Sequence, residues 1–333
     1  MAAETVYLLG AGFSKAVSGE MPTLLGLGEL LRPKLEGIFD PKDWRVELGT
    51  KDFEGLLSLI SQDQPWLDDP TNLRNRAAFI DLSRTIGKCI RKCQVSALKT
   101  RMPTRLSRLV DHWVANNTKI LTFNYDTLIE KAYVSQLDGL LKLAEDYSHE
   151  SLYPVVMSAV EHRASGSGPP GRLPGDGIRL VKLHGSLNWY YSGAEDFFGE
   201  VIYDVGIKPE WGSSDQDKAV SKAHFVLDKM PLIVPPTSSK NSFFANETVR
   251  GNWRSARSYL GDAHELVVVG YSLPPSDLMA RGLLADSRLE RIVLVDKDPC
   301  VAERYSQALP DVTIDESFIN TTDNPLEHYV HSL

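Results

Sequence analysis

The stretch TVYLLGAGFSKAVSGEMPTL, residues 5–24, decides how the rest of the chain is read. Thr5 to Leu9 are β-branched or large apolar residues, and the run stops at Gly10, Ala11 and Gly12, with Ser14 the nearest polar side chain. A continuous apolar run that ends on glycine predicts a short strand buried on both faces, followed by a tight turn into a helix. Backbone without side chains at such a turn presents N–H groups at a helix N-terminus, which favours a pyrophosphate. A tight strand-to-helix turn also calls for glycine, and the third glycine of the usual dinucleotide fingerprint falls on Lys15. The turn alone therefore leaves both readings open.

Similar runs recur at KILTF (119–123), IRLVKL (178–183), PLIVPP (231–236), ELVVVGY (265–271) and RIVLVDKD (291–298). They are continuous rather than alternating, the pattern of parallel strands covered by helices on both faces. Helical spacing lies between them, as in Asp126 to Leu143 and Pro275 to Leu289. The expected fold class is α/β: a Rossmann-like doubly wound parallel sheet forming a single domain over residues 1–333. Two additions are expected, a helical insertion at about 28–118 and a small aromatic-rich module at about 187–230. The Gly- and Pro-rich segment Ser165 to Gly177 reads as a loop, and the core is expected to finish near Asp298.

Composition narrows the function classes. With 333 residues, 42% hydrophobic and 24% charged, the chain is an ordinary globular one. A net charge of −8 excludes a general nucleic-acid coat but leaves room for a local basic patch. One such stretch exists: from Leu82 to Val110 there is no Asp or Glu, while Arg84, Lys88, Arg91, Lys92, Lys99, Arg101, Arg105 and Arg108 are basic. It fits a solvated helix face, docked against the acidic DQPWLDD at 63–69, or a contact for a subunit, nucleic acid or partner. Cys89, Cys93 and Cys300 form no disulfide framework and no zinc ribbon; Cys89 and Cys93 read as core filling. Without a basic leader or a long apolar run, the expected location is cytoplasmic, with no membrane and no metal.

The polar residues that carry chemistry sit at strand ends, where α/β ligand crevices lie. Asn124 offers an amide donor and acceptor for a ribose hydroxyl or water; Asp126 offers acceptors and equally fits an Asx turn capping the next helix. His184 closes a strand before Gly185 and Ser186, and an imidazole accepts a proton at neutral pH. Gly270 and Ser272 suit a phosphate or ribose, with Asp277 capping or orienting the following helix, and Asp296 suits adenosine ribose hydroxyls.

Taken in order, GAGFS, TFNYD, LHGS and GYSLP resemble the motifs of the sirtuin-like superfamily, and its bacterial antiphage-defence NADase branch more than the protein deacylases. The resemblance implies that NAD is bound as substrate by Gly10, Ala11, Gly12, Phe13, Ser14, Asn124, Asp126, Gly270, Ser272 and Asp296. His184, Asn124 and Asp126 would be catalytic. Where deacylases carry Gly-Ile-Pro-Asp-Phe-Arg this chain has GEMPTLLGL, and their four zinc cysteines are missing. The expected function is NAD+ hydrolysis to nicotinamide and ADP-ribose, depleting NAD+ during phage infection. A non-catalytic module that binds NAD or ADP-ribose is the alternative reading, and a deacylase a more distant one. With no GxxxxGK[ST] motif, control is expected from a homo-oligomer or a separately encoded partner such as a HerA-type ATPase or a short Argonaute.

Overall fold

The computed structural model describes residues 4–136, 152–155, 157–159, 178–191, 202–203, 211–212, 230–237, 244, 246–319 and 324–333. In chain order the elements are β1 Thr5–Leu9, α1 Ala11–Val17, α2 Leu24–Ile38, α3 Trp44–Lys51, α4 Phe53–Ile60, α5 Asp69–Leu98, α6 Thr104–Ala115, β2 Lys119–Thr122 and α7 Leu128–Gln136. Then come β3 Ser158–Ala159, β4 Arg179–Lys182, β5 Gly185–Tyr191, β6 Ile202–Tyr203, β7 Met230–Ile233, α8 Glu247–Asp262, β8 Glu265–Val269, α9 Leu278–Ala285, β9 Arg291–Asp296, α10 Cys300–Ala308, β10 Thr313–Ile319 and α11 Pro325–Ser332. The segment 165–177, residues 137–143 and the aromatics Phe197 and Phe198 lie outside the described residues.

Six strands form one parallel sheet in the order β10-β9-β8-β1-β2-β4. Counted along the chain within that sheet, the order is 3-2-1-4-5-6, that of a doubly wound dinucleotide-binding sheet, and its direction of winding reverses between β1 and β8. Both faces are covered, which is why the strands read as unbroken apolar runs. Val6 and Leu8 pack on one side with Leu266, Val268, Ile292 and Leu294. Tyr7 and Leu9 pack on the other with Val267, Val269 and the α6 stripe Leu106, Leu109, Val110 and Trp113, spaced to share one helical face.

Two expectations are corrected. The run at 231–236 is no strand of the main sheet: β7 pairs antiparallel with β5 in a second, four-stranded sheet of order β3-β6-β5-β7. The core also continues past Asp298, because β10 adds a sixth strand beside β9 and α11 returns to place the Tyr329 hydroxyl 2.6 Å from that of Tyr7. Five helices, α2 to α6, fill the chain between α1 and β2. The longest, α5, has 30 residues; Asp68 caps its start by accepting the Thr71 N–H, and Pro70 occupies its first turn, where a missing N–H costs nothing. Among the described residues no helix is long and apolar enough to cross a membrane.

Candidate active site

The glycines at the sheet's switch point serve another backbone first. Gly10 donates its N–H to Val269 O at 3.0 Å, and Gly12 donates to Gly270 O at 2.9 Å. A Cβ on Gly10 would stand 2.4 Å from Gly270 O, and one on Gly12 2.6 Å from Gly270 Cα. Gly270 itself has φ +63°, and a side chain there would meet Phe13 N at 2.2 Å. The loops after β1 and β8 thus touch without side chains between them, and only glycine permits that approach. The Gly12 and Phe13 N–H groups are consumed internally, the latter by Gly10 O. The expectation of an unobstructed row of amides is therefore corrected at Gly10, Gly12 and Phe13.

A cavity of about 410 Å³ opens at this point. Its lining includes Ala11, Gly12 and Ser14 after β1, Asn124 and Asp126 after β2, His184 after β4, Gly270 and Ser272 after β8, and Asp296 at the end of β9. Of the site residues read from the sequence, Gly10 and Phe13 do not line it; Phe13 is fully buried against Trp113. The opposite wall was not read from the sequence. It comprises Met21 to Leu25, Leu27, Glu54 and Ile90, supplied by the α1–α2 connection and the helices α2, α4 and α5. These residues form no local motif, and only the packing of the helices onto the sheet brings them to the cavity.

Hydrogen bonds fix the polar wall. Asn124 donates both amide hydrogens, to Gly10 O at 2.7 Å and to Ser14 Oγ at 2.9 Å, which leaves its Oδ1 as an acceptor. Ser14 passes its own hydrogen to Asp126 Oδ2 at 2.7 Å, and Asp126 Oδ1 accepts the Leu128 N–H at 3.2 Å as an Asx-type cap of α7. Asp126 therefore performs the capping task and lines the cavity too. Burial pushes its carboxyl above the usual range, opposed by Lys182, Ser14 and the Leu128 N–H. Asp296 is likewise pushed up by burial.

His184 is 7% exposed and lies among aromatic rings: Phe123 at 4.8 Å between centroids, Tyr125 and Trp253 each at 6.4 Å. Gly185, with φ +80°, turns the chain immediately after it, so close to β7 that a Cβ would sit 2.1 Å from Leu232 O. Of the two roles expected of Asp277, capping by its side chain is not made. The residue occupies the N-cap position of α9 without a side-chain cap bond, and its carboxylate accepts the Tyr271 hydroxyl at 2.9 Å instead. The 270–277 loop is clamped from behind by Arg304 on Ser272 O and by Arg281 on the carbonyls of Leu273 and Pro274.

Cys89 and Cys93 are half-buried free thiols, and burial pushes the Cys89 thiol up to about 11, which keeps it protonated and unreactive. Among the described residues no cluster of three or more His, Cys, Asp or Glu side chains is arranged to hold a metal ion.

No protein-family model and no curated protein matches the chain. Among solved structures it is similar to a Sir2 homologue in complex with NAD, at 15% identity and TM-score 0.45, covering 99% of this chain and 90% of that one. It is also similar to Sir2 bound to an acetylated peptide, at 13% identity and TM-score 0.40, covering 99% and 91% respectively. The fold itself is settled by the strand order, a Rossmann-like parallel sheet whose polar strand ends meet in one cavity.

Proposed function

We propose that the chain binds NAD+ in this cavity and hydrolyses it to nicotinamide and ADP-ribose. One observation carries the reading: polar groups from the ends of five parallel strands converge on a single cavity at the switch point of a dinucleotide-type sheet. In this reading the glycine loops take the pyrophosphate, Ser272 and Asp296 the adenosine ribose, and Asn124 and Asp126 the nicotinamide ribose. Water attacks the ribose carbon as its bond to nicotinamide breaks, nicotinamide leaves with the bonding electrons, and the proton of the water passes to His184. With both amide hydrogens committed, Asn124 acts through Oδ1 by accepting a hydrogen bond from that water or from a ribose hydroxyl. A positioned base of this kind contributes about 10² to 10⁴ in rate.

The motif resemblance supports a wider setting for the same proposal. There the enzyme depletes NAD+ in a phage-infected bacterium and is held silent until self-assembly or a separately encoded partner releases it. The test is to incubate the protein with NAD+ and resolve the products by chromatography, alone and with the products of neighbouring genes, beside His184→Ala. Equimolar nicotinamide and ADP-ribose without any acyl peptide, lost in the variant, is the expected result. Release only with an acetylated peptide would make it a deacylase, and binding without release in every assembly state would make it a sensor module.

A further inference from the structure

Helix α5 has two chemically different faces. The inward face reaches the cavity at Ile90 and packs on the elements around it. Gly87 abuts the second sheet, where a Cβ would stand 2.8 Å from Ile233 Cδ1, Ile90 lines the cavity, and Arg91 donates to Leu187 O and to the Tyr190 hydroxyl. Gln94 grips Thr127, one residue after Asp126, accepting its N–H at 2.8 Å and donating to its hydroxyl at 2.9 Å, both buried.

The outward face is cationic. Arg84, Lys88 and Lys92 are exposed at i, i+4 and i+8, roughly 6 Å apart along the axis, and the basic surface continues through Arg101 to Arg108 on α6. Along the chain no acidic residue falls between Asp81, which pairs with Lys34, and Asp111; among the described residues Glu327 of α11 reaches Arg105, at 3.9 Å. Nor does the DQPWLDD segment cover it in the way its charge suggests: Asp63 pairs with Arg76, and Asp68 caps α5. Among the described residues Lys88, Lys92, Arg101 and Arg108 enter no ion pair, and no large apolar side chain is exposed between 84 and 108. At the α5–α6 corner a cavity of about 590 Å³ adds the hydroxyls of Thr104 and Ser107 beside Arg101.

Protein interfaces are anchored by desolvated aromatic and apolar side chains, which the outward face of α5 from Arg84 to Lys92 does not expose, while Met102 and Trp211, both partly buried, line the corner. Contacts to phosphates are made by Lys, Arg and side-chain hydroxyls, which this face and corner have. We infer that the outward face of α5 and the α5–α6 corner bind the phosphate backbone of a nucleic acid, and that α5 relays this contact to the 124–127 loop through Gln94. The relay rests on the proposed function, as the regulation of that site, whereas the binding surface stands without it.

The test is fluorescence anisotropy with end-labelled single-stranded and duplex oligonucleotides, beside labelled polyglutamate. Binding on the order of 1 µM in low salt is expected, with a log–log salt slope of about −2.8 on single strands and about −3.6 on duplex for four phosphate contacts. Lys88→Glu/Lys92→Glu should weaken it at least about tenfold, one lost phosphate contact per lysine, while Lys42→Glu, on a distant exposed turn, should not. No binding, binding indifferent to the double variant, or equal binding of polyglutamate would overturn the surface. For the relay, hydrogen exchange of residues 122–128 should change on adding the oligonucleotide in the wild type and not in Gln94→Ala. Unchanged exchange in the wild type would overturn the relay whether or not the protein turns NAD+ over.

Discussion

On one side of the loop that follows β2, Ser14, Asn124 and Asp126 are hydrogen-bonded to one another and face the cavity. On the other side, Lys182, Glu130, Tyr153, Asn188 and Ser186 form a second polar cluster sealed in the core. Lys182, 1% exposed, pairs with Glu130 at 3.0 Å and donates to Asp126 O, while Tyr153 donates to Glu130, Asn188 to Tyr153, and Ser186 to Asn188. The residue types are alike, amide, hydroxyl and carboxylate, yet their tasks differ. The sealed cluster spends its bonds on its own members and on the carbonyls of Tyr125 and Asp126, with Glu130 Oε2 left unbonded in the core, whereas the open one keeps Asn124 Oδ1 facing a cavity and bonded to no protein partner among the described residues. Access to the cavity, and not polarity, separates a chemical site from its support.

The sharpest way to break that contrast is to remove the imidazole. His184→Ala should lower NAD+ turnover about 10²- to 10⁴-fold while moving the dissociation constant little, as read by product assay and calorimetry. Next in size, Lys182→Met leaves Glu130 buried without its partner, and should cost about 3–5 kcal/mol in urea denaturation. Adding Glu130→Leu should recover part of that loss, because replacing both members of a buried pair is far less costly than removing one. If the single variant were neutral, the sealed cluster would not be the support described.

A smaller effect separates the clusters by pH. Burial holds the Asp126 carboxyl above its ordinary range, so the folded chain keeps this proton at pH values where the unfolded chain has released it. Stability therefore falls as pH rises from the ordinary carboxylate range through the raised value, by up to about 1.4 kcal/mol per pH unit for one proton. Asp126→Asn should flatten that part of the profile in denaturation midpoints taken from about pH 4 to about pH 7, and an unchanged slope would count against it. The smallest effect belongs to the surface: Arg257→Ala, which breaks an exposed pair with Asp286, should change stability by less than about 1 kcal/mol and leave turnover unchanged.

Much of the architecture was legible because burial on both faces leaves a plain trace. The runs around Tyr7, Leu121, Val267 and Val293 are strands of the main sheet, and the polar residues just beyond them line the cavity. The same trace misled at Leu232 and Ile233, since a strand buried against α5 in an antiparallel sheet looks identical in sequence. β10 went unread for the opposite reason: TIDESFI is an edge strand, half-exposed and carrying Asp315 and Glu316, the charged composition that protects a sheet edge. Glu54 carried no signal, and GEMPTLLGL at 19–27 stood out only as a departure from the deacylase segment, because the place of both in the cavity comes from helix packing. The glycines were legible as necessary but not for the full reason, because the approach of Gly270 to Gly10 and Gly12 joins positions some 260 residues apart.

The most direct measurement is an experimental structure of the His184→Ala variant with NAD+. The account predicts the dinucleotide lying across the β1–β8 switch point, with its nicotinamide ribose beside Asn124 Oδ1 and the vacated imidazole position, and its adenosine ribose at Asp296. NAD+ bound elsewhere, or with its nicotinamide end at Asp296, would contradict it.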